Sequence, residues 1–256
     1  MVFIDTHTHN YDEAYPVEEQ DEVIGRAVDA GVEWLLQADV SSAERSRMWA
    51  VVDRHPNHLK AMLGLYPGSV DKNWKNEIDA LEPYKGKDIV AIGEIGLDYH
   101  FSTEFKEEQK EALRVQLEMA AAMDMPVNIH LRDATGDFIK IMKDCRHLGL
   151  RGNLHAFSES IETFRELQKS GDWSVGIGGV VTFKKASLAE TVKDIPMSHI
   201  LLETDSPYLA PTPLRGTRNE SANIPLIAAK IAEIKGCSVE EVAFTTTENA
   251  KKLFRL

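Results

Sequence analysis

The run DIVAIGEIGLD, residues 88–98, is apolar at nearly every position, yet it holds a glutamate at Glu94 and stops on Asp98. A strand with one wet face would alternate apolar and polar side chains. This one does not, so it reads as a strand covered on both faces, as in a parallel sheet flanked by helices. Seven further runs have the same character: MVFIDTH from Met1, VEWLLQAD from Val32, LKAMLGLYP from Leu59, PVNIHLR from Pro126, RGNLHAF from Arg151, WSVGIGG from Trp173 and HILLETDSP from His199. Helical patterns lie between them, as in residues 104–123, where Phe105, Leu113, Leu117, Ala120 and Ala121 share a face. Gly31, Pro56 and Gly236 mark helix ends, and Ser238 with Glu241 forms a capping-box signature. Strand and helix alternating about eight times is the pattern of a parallel (β/α)8 barrel, with an open doubly wound sheet as the alternative.

The gross composition fits that reading. A length of 256 residues suits a barrel folded as one domain over residues 1–256, and 43% hydrophobic with 27% charged residues suits a globular protein with a sizeable core. No run approaches the roughly 18 apolar residues of a membrane helix, and no basic segment leads into an apolar one at the start, so a cytoplasmic location is expected. Cys145 and Cys237 lie far apart, outside any CxxC spacing, and read as reduced and structural. The formal charge of −12 argues against broad electrostatic binding to long duplex nucleic acid. A small basic patch remains open, and bound cations would offset part of the acidic excess.

The informative polar residues stand at the carboxyl ends of the apolar runs. In FIDTHTHN, residues 3–10, strand alternation puts Asp5, His7 and His9 on one side, which is how a strand presents two imidazoles to one cation. Glu94 and Asp98 end the fourth run, His130 and Arg132 the fifth, His155 the sixth, and Glu203 with Asp205 the eighth. In a βα barrel those ends open onto one mouth, so residues distant in sequence converge there. A lone histidine at a strand end is more often a hydrogen-bonded polar residue; four histidines and two acids at one mouth point to metal. The donor set suits zinc, manganese or magnesium, and six ligands fit two cations sharing a carboxylate, about 3.5 to 4 Å apart, better than one. His55, His58, His147 and His199 lie elsewhere, and His100 is a minor candidate.

His7-Thr-His9, GEIGLDY, IHLRDA, HAFS, and ETDSPYLAP with RGTRNE together resemble the TatD family of metal-dependent hydrolases, in the family's order and across nearly the whole chain. The resemblance implies a TIM-type barrel of the metallo-dependent hydrolase superfamily with two metals and hydrolytic activity that includes deoxyribonuclease action. Carried over, His7, His9 and Asp205 would hold one metal, His130 and His155 the other, and Glu94 would bridge them. The chain departs from the family's pattern at Tyr66, in GLYP where GLHP is usual, at Ala156 and Glu159, where Cys and Gly are common, and at Ser221, where Pro is common. None touches an implied ligand; Tyr66 bears on substrate contact and rate.

The expected chemistry is attack by a metal-bridging hydroxide, with Glu94 and Asp205 as the catalytic carboxylates and Asp205 as general base. Arg132, Lys184, Arg215 and Arg218 are candidates to bind the non-bridging oxygens of a phosphodiester, while Gly176, Gly178 and Gly179 read as packing glycines or a backbone approach to phosphate. Glu203, Asp98 and Asp5 are expected to support ligands rather than bind metal. The substrates expected are DNA ends, single strands or other small phosphodiesters, without an obligate protein partner. Hydrolysis of an ester or amide such as an aminoacyl-tRNA is the second reading, and a non-catalytic metal-binding module the third. No long aromatic platform for extended single strands is present in the sequence.

Overall fold

Each of the eight apolar runs forms a strand: β1 Phe3–Thr8, β2 Val32–Gln37, β3 Leu59–Leu63, β4 Ile89–Asp98, β5 Val127–Arg132, β6 Arg151–Leu154, β7 Asp172–Ile177 and β8 Ile200–Leu202. They are seen in a computed structural model that describes residues 1–184 and 186–256. The strands lie side by side in chain order, every neighbouring pair parallel. That order excludes the doubly wound alternative, in which the sheet reverses direction part-way. The barrel closes where β1 meets the segment after β8: Thr8 bridges Ser206, the His9 amide donates to the Ser206 carbonyl at 2.8 Å, and the Asp205 amide donates to the His7 carbonyl at 3.0 Å.

Helices α1 Val17–Asp29, α2 Ser42–Arg54, α3 Trp74–Asp79, α4 Lys106–Ala122, α5 Thr135–Asp144, α6 Ile161–Leu167, α7 Leu188–Asp194, α8 Ile224–Lys235 and α9 Val239–Phe254 complete the alternation. Gly236 ends α8 in the left-handed conformation, with φ 67°, and the Ser238 hydroxyl accepts from the Glu241 amide at 3.1 Å to open α9. In α4, Leu113, Leu117 and Ala120 are buried, while Phe105 precedes the helix and Ala121 is only partly covered.

The main core lies between strands and helices, where Leu35, Leu63, Ile92, Ile129 and Val175 pack with helix residues such as Met48, Leu113 and Phe138. A second cluster brings Ile4, Leu36, Met62, Ala91 and Leu201, from five different strands, against Leu253 and Phe254 of α9. Five strands meet in one cluster only inside the barrel, so the last turn of α9 packs against the interior side chains and leaves the carboxyl ends to form the mouth. Among the described residues, no helix is long and apolar enough to cross a membrane. Cys145 and Cys237 are both free.

Candidate metal centre

His7 lies in β1 and His9 just beyond it, Glu94 in β4, His130 in β5, His155 directly after β6, and Asp205 three residues past β8. Their donor atoms converge in two adjoining groups. His7 Nε2 and His9 Nε2 are 3.1 Å apart; Glu94 Oε2 stands 3.4 and 3.7 Å from them, and Asp205 Oδ1 3.7 and 3.6 Å. On the other side, Glu94 Oε1 is 2.9 Å from His130 Nδ1 and 2.8 Å from His155 Nε2, and those two nitrogens are 3.1 Å apart. A tetrahedral cation with donors at about 2.0–2.2 Å spaces them by roughly 3.3–3.6 Å, so the first group has the dimensions of a coordination shell. Three sets, His7/His9/Glu94, His7/His155/Asp205 and Glu94/His130/His155, each offer donors close enough to hold an ion.

The outer ring nitrogens fix which lone pairs face inward. His7 Nδ1 lies 2.8 Å from the Asn128 carbonyl oxygen, and that amide is oriented by donating its own N–H to Asn153 Oδ1 at 3.1 Å. His7 therefore carries its proton on Nδ1 and turns a bare Nε2 to the centre. His9 Nδ1 is 3.1 Å from the Tyr11 hydroxyl, whose proton goes to the Ala38 carbonyl, so the hydroxyl accepts from His9 and leaves His9 Nε2 bare too. His130 Nε2 donates to Asp98 Oδ2 at 2.9 Å, so Nδ1 is the nitrogen that faces the centre. Lone pairs that face one another at 3.1 Å repel unless a cation or proton lies between them. One proton satisfies one pair; six converging donors fit divalent cations held by backed histidines.

Electrostatics agree with this donor set. Burial opposes ionisation of Glu94, but the imidazoles of His155, His7 and His130 hold its carboxyl well below the usual range. Burial likewise opposes charge on Asp205, and the hydrogen bond with His9 together with the charges of His155, His7 and His9 outweighs it and lowers the carboxyl. Burial and the neighbouring His7 drop His155 to about 4, so its ring is neutral. His130 is pulled down by burial, yet Asp98 and Glu94 push it up to about 9. Glu203 is raised well above its ordinary value by burial; its Oε1 accepts from the Ala156 amide and stands 3.8 Å from His155 Nδ1.

A profile of the family described as "TatD related DNase" matches residues 4–255. The chain belongs to the TatD family. It is 38% identical over 263 residues to the "Uncharacterized metal-dependent hydrolase YabD" of Bacillus subtilis, covering all of both chains. It is 32% identical to the "3'-5' ssDNA/RNA exonuclease TatD" of Erwinia billingiae, covering 93% of this chain and 94% of that one. The crystal structure of YjjV, a TatD homologue from Escherichia coli K12, superposes with a TM-score of 0.91 at 26% identity, over 99% of this chain and 98% of that one. The protein is thus a metal-dependent hydrolase of the TatD family.

Within this TatD barrel the supporting acids stand where the sequence placed them. Asp98 holds His130, Asp5 accepts from the Thr204 amide at 2.9 Å and hydroxyl at 2.6 Å, and Glu203 lies behind His155. The strand-alternation argument for Glu203 and Asp205 does not apply, because β8 stops at Leu202 and Asp205 sits in the left-handed region at φ 52°. Asp5, by gripping Thr204, holds the turn that aims Asp205. Of the four basic residues, only Arg132 lines the cavity over the centre. Arg218 is held by Glu19, Glu220 and the Ala14 carbonyl, Arg215 packs over Phe183 at 4.5 Å, and Lys184 is exposed. His100 pairs with Asp133 at 2.7 Å, outside the donor groups. A Cβ on Gly176 would lie 1.8 Å from Glu203 Oε2 and one on Gly179 2.1 Å from the Leu209 carbonyl, so both glycines accommodate the protein's own atoms. Tyr66 lines the cavity, edge-on to His130 at 5.0 Å, with its hydroxyl 3.3 Å from Asp98 Oδ2.

Sequence reading missed Tyr11, Asn128 and Asn153. A signal for the asparagines exists: Asn128 and Asn153 each precede a site histidine by two residues in a buried strand, as Asp5 precedes His7.

Proposed function

We propose that the protein is a two-metal phosphodiesterase that acts on ends of single-stranded nucleic acid. The observation that carries this reading is the division of the Glu94 carboxylate, one oxygen toward His7 and His9 and the other toward His130 and His155. In this reading His7, His9 and Asp205 would hold one cation, His130 and His155 the other, and Glu94 would be shared between them. With the ligand imidazoles deprotonated on binding, the two carboxylates carry two negative charges, which two divalent cations, zinc, manganese or magnesium, would more than reverse, so a phosphate would be drawn in despite the chain's charge of −12. Such cations, when bound, lower the pKa of water toward neutrality and polarise a phosphoryl group.

Asp205, ionised at the cavity floor, takes the proton of the attacking water. Glu94 and Asp205 are the catalytic carboxylates. Arg132 at the rim pairs with a non-bridging phosphate oxygen. The exonuclease name of the Erwinia relative supports the choice of substrate. Residues 1–256 act as one domain, since the ligands come from β1 through the segment after β8, and the two free cysteines fit a cytoplasmic location.

The test is a substrate panel run with metal-loaded and chelated protein: a single-stranded deoxyoligonucleotide, a chromogenic phosphodiester and an aminoacyl ester. The expected result is release of nucleotides and of the chromogenic group, abolished by chelation. Release of acid from the aminoacyl ester with both phosphodiesters intact would overturn the reading in favour of acyl hydrolysis.

A further inference from the structure

The cavity above the centre, about 560 Å³, has two unlike walls. Asp12 follows β1 and Glu44 lies in α2, on one side; Phe101 follows β4 and Arg132 ends β5, on the other. In an eight-stranded barrel β1 and β5 stand opposite one another, so an acidic wall faces an aromatic and cationic one. Asp12 Oδ2 accepts from the Tyr208 hydroxyl at 2.8 Å, and Glu44 Oε2 lies 3.5 Å from Arg47, which also pairs with Glu13 and so leaves the wall acidic.

Phe101 is 79% exposed, although it lines a cavity whose floor is charged. The Arg132 guanidinium lies 5.0 Å from its ring centroid, and His100 meets it edge-on at 4.9 Å while bonded to Asp133. One face and one edge of the ring are therefore held, and the other face is open. An open aromatic face beside a guanidinium is the arrangement that stacks an unpaired base while pairing with its phosphate, and it does so with little sequence preference.

We propose that Phe101 and Arg132 form the subsite for the nucleotide on the polymer side of the scissile bond, with its base on Phe101 and its phosphate at Arg132. This rests on the phosphodiesterase reading above. The Asp12 and Glu44 wall repels further phosphates, so the strand leaves only over β4 and β5 and its terminal nucleotide is the one removed. A duplex end, whose bases are paired and stacked, cannot offer a base to Phe101.

The test uses the metal-loaded protein and a short single strand with hydrolysis-resistant phosphorothioate linkages, carrying 2-aminopurine next to the 3′ end or next to the 5′ end. Wild-type protein is expected to quench the fluorescence of one of the two probes. F101A loses the quenching and binds about tenfold to a hundredfold more weakly, F101W retains both, and R132A lowers the salt dependence of binding by about one phosphate contact. In turnover, F101A loses far more kcat/KM on a trinucleotide than on thymidine 5′-(4-nitrophenyl phosphate), which has no second nucleotide. Unchanged quenching in F101A, or equal losses on both substrates, overturns the subsite alone. Failure of the wild type to hydrolyse either substrate overturns the phosphodiesterase reading and the subsite with it.

Discussion

The two halves of the metal centre are backed differently. His7 and His9 lean on neutral acceptors, the Asn128 amide oxygen and the Tyr11 hydroxyl, whereas His130 leans on the Asp98 carboxylate. Neutral acceptors fix a tautomer without raising the affinity of the ring for a second proton; a carboxylate does both. The β5 half therefore holds a proton on His130 that a cation must displace, while in the β1 half burial opposes charge on His9 and the hydrogen bond to Asp205 with the carboxylates around it raises that ring too. Between them, Glu94 belongs to both.

Removing the shared residue has the largest expected effect. Glu94→Gln keeps the shape and loses the charge seen by both halves, so metal content collapses and turnover drops roughly a thousandfold or more, as measured by elemental analysis and nucleotide release. Substitution within one half should spare the other: His9→Ala and His155→Ala are each expected to lower bound metal from two ions per chain to about one. Loss of both ions from either variant would show that the halves do not act separately.

The backing residues have smaller effects. Asp98→Asn and Tyr11→Phe should each weaken metal binding about tenfold to a hundredfold, by isothermal titration, and each only in its own half. The effect of pH is of the same order. Because His130 is raised to about 9, its ring is protonated in the metal-free protein below that pH, and binding releases the proton. Affinity in the β5 half should then climb about tenfold per pH unit from 6 to 8 and level off above about 9. Asp98→Asn should flatten that slope. An unchanged slope in Asp98→Asn would contradict the role drawn for that carboxylate.

The barrel was legible in the sequence because eight apolar runs alternate with helical patterns, and the site because polar residues interrupt those runs at one end. What strand periodicity could not supply lies where strands stop. Asp205 sits on a left-handed turn gripped through Thr204 by Asp5 from across the barrel seam, a contact between residues 199 positions apart. Arg218 looked equivalent to Arg132 as a loop cation, but Glu19, near the other end of the chain, draws it aside. Nor does the sequence rank Phe101 above other aromatics, since only the fold places it at the mouth beside Arg132.

The central claim is that Glu94 joins two cations. Titration of metal-free protein with manganese, followed by electron paramagnetic resonance, tests it most directly. The account predicts uptake of two ions per chain and a broadened, exchange-coupled spectrum that is lost in Glu94→Gln, where the manganese stays unbound. Saturation at one ion per chain, or two ions giving independent six-line signals in the unaltered protein, would contradict it.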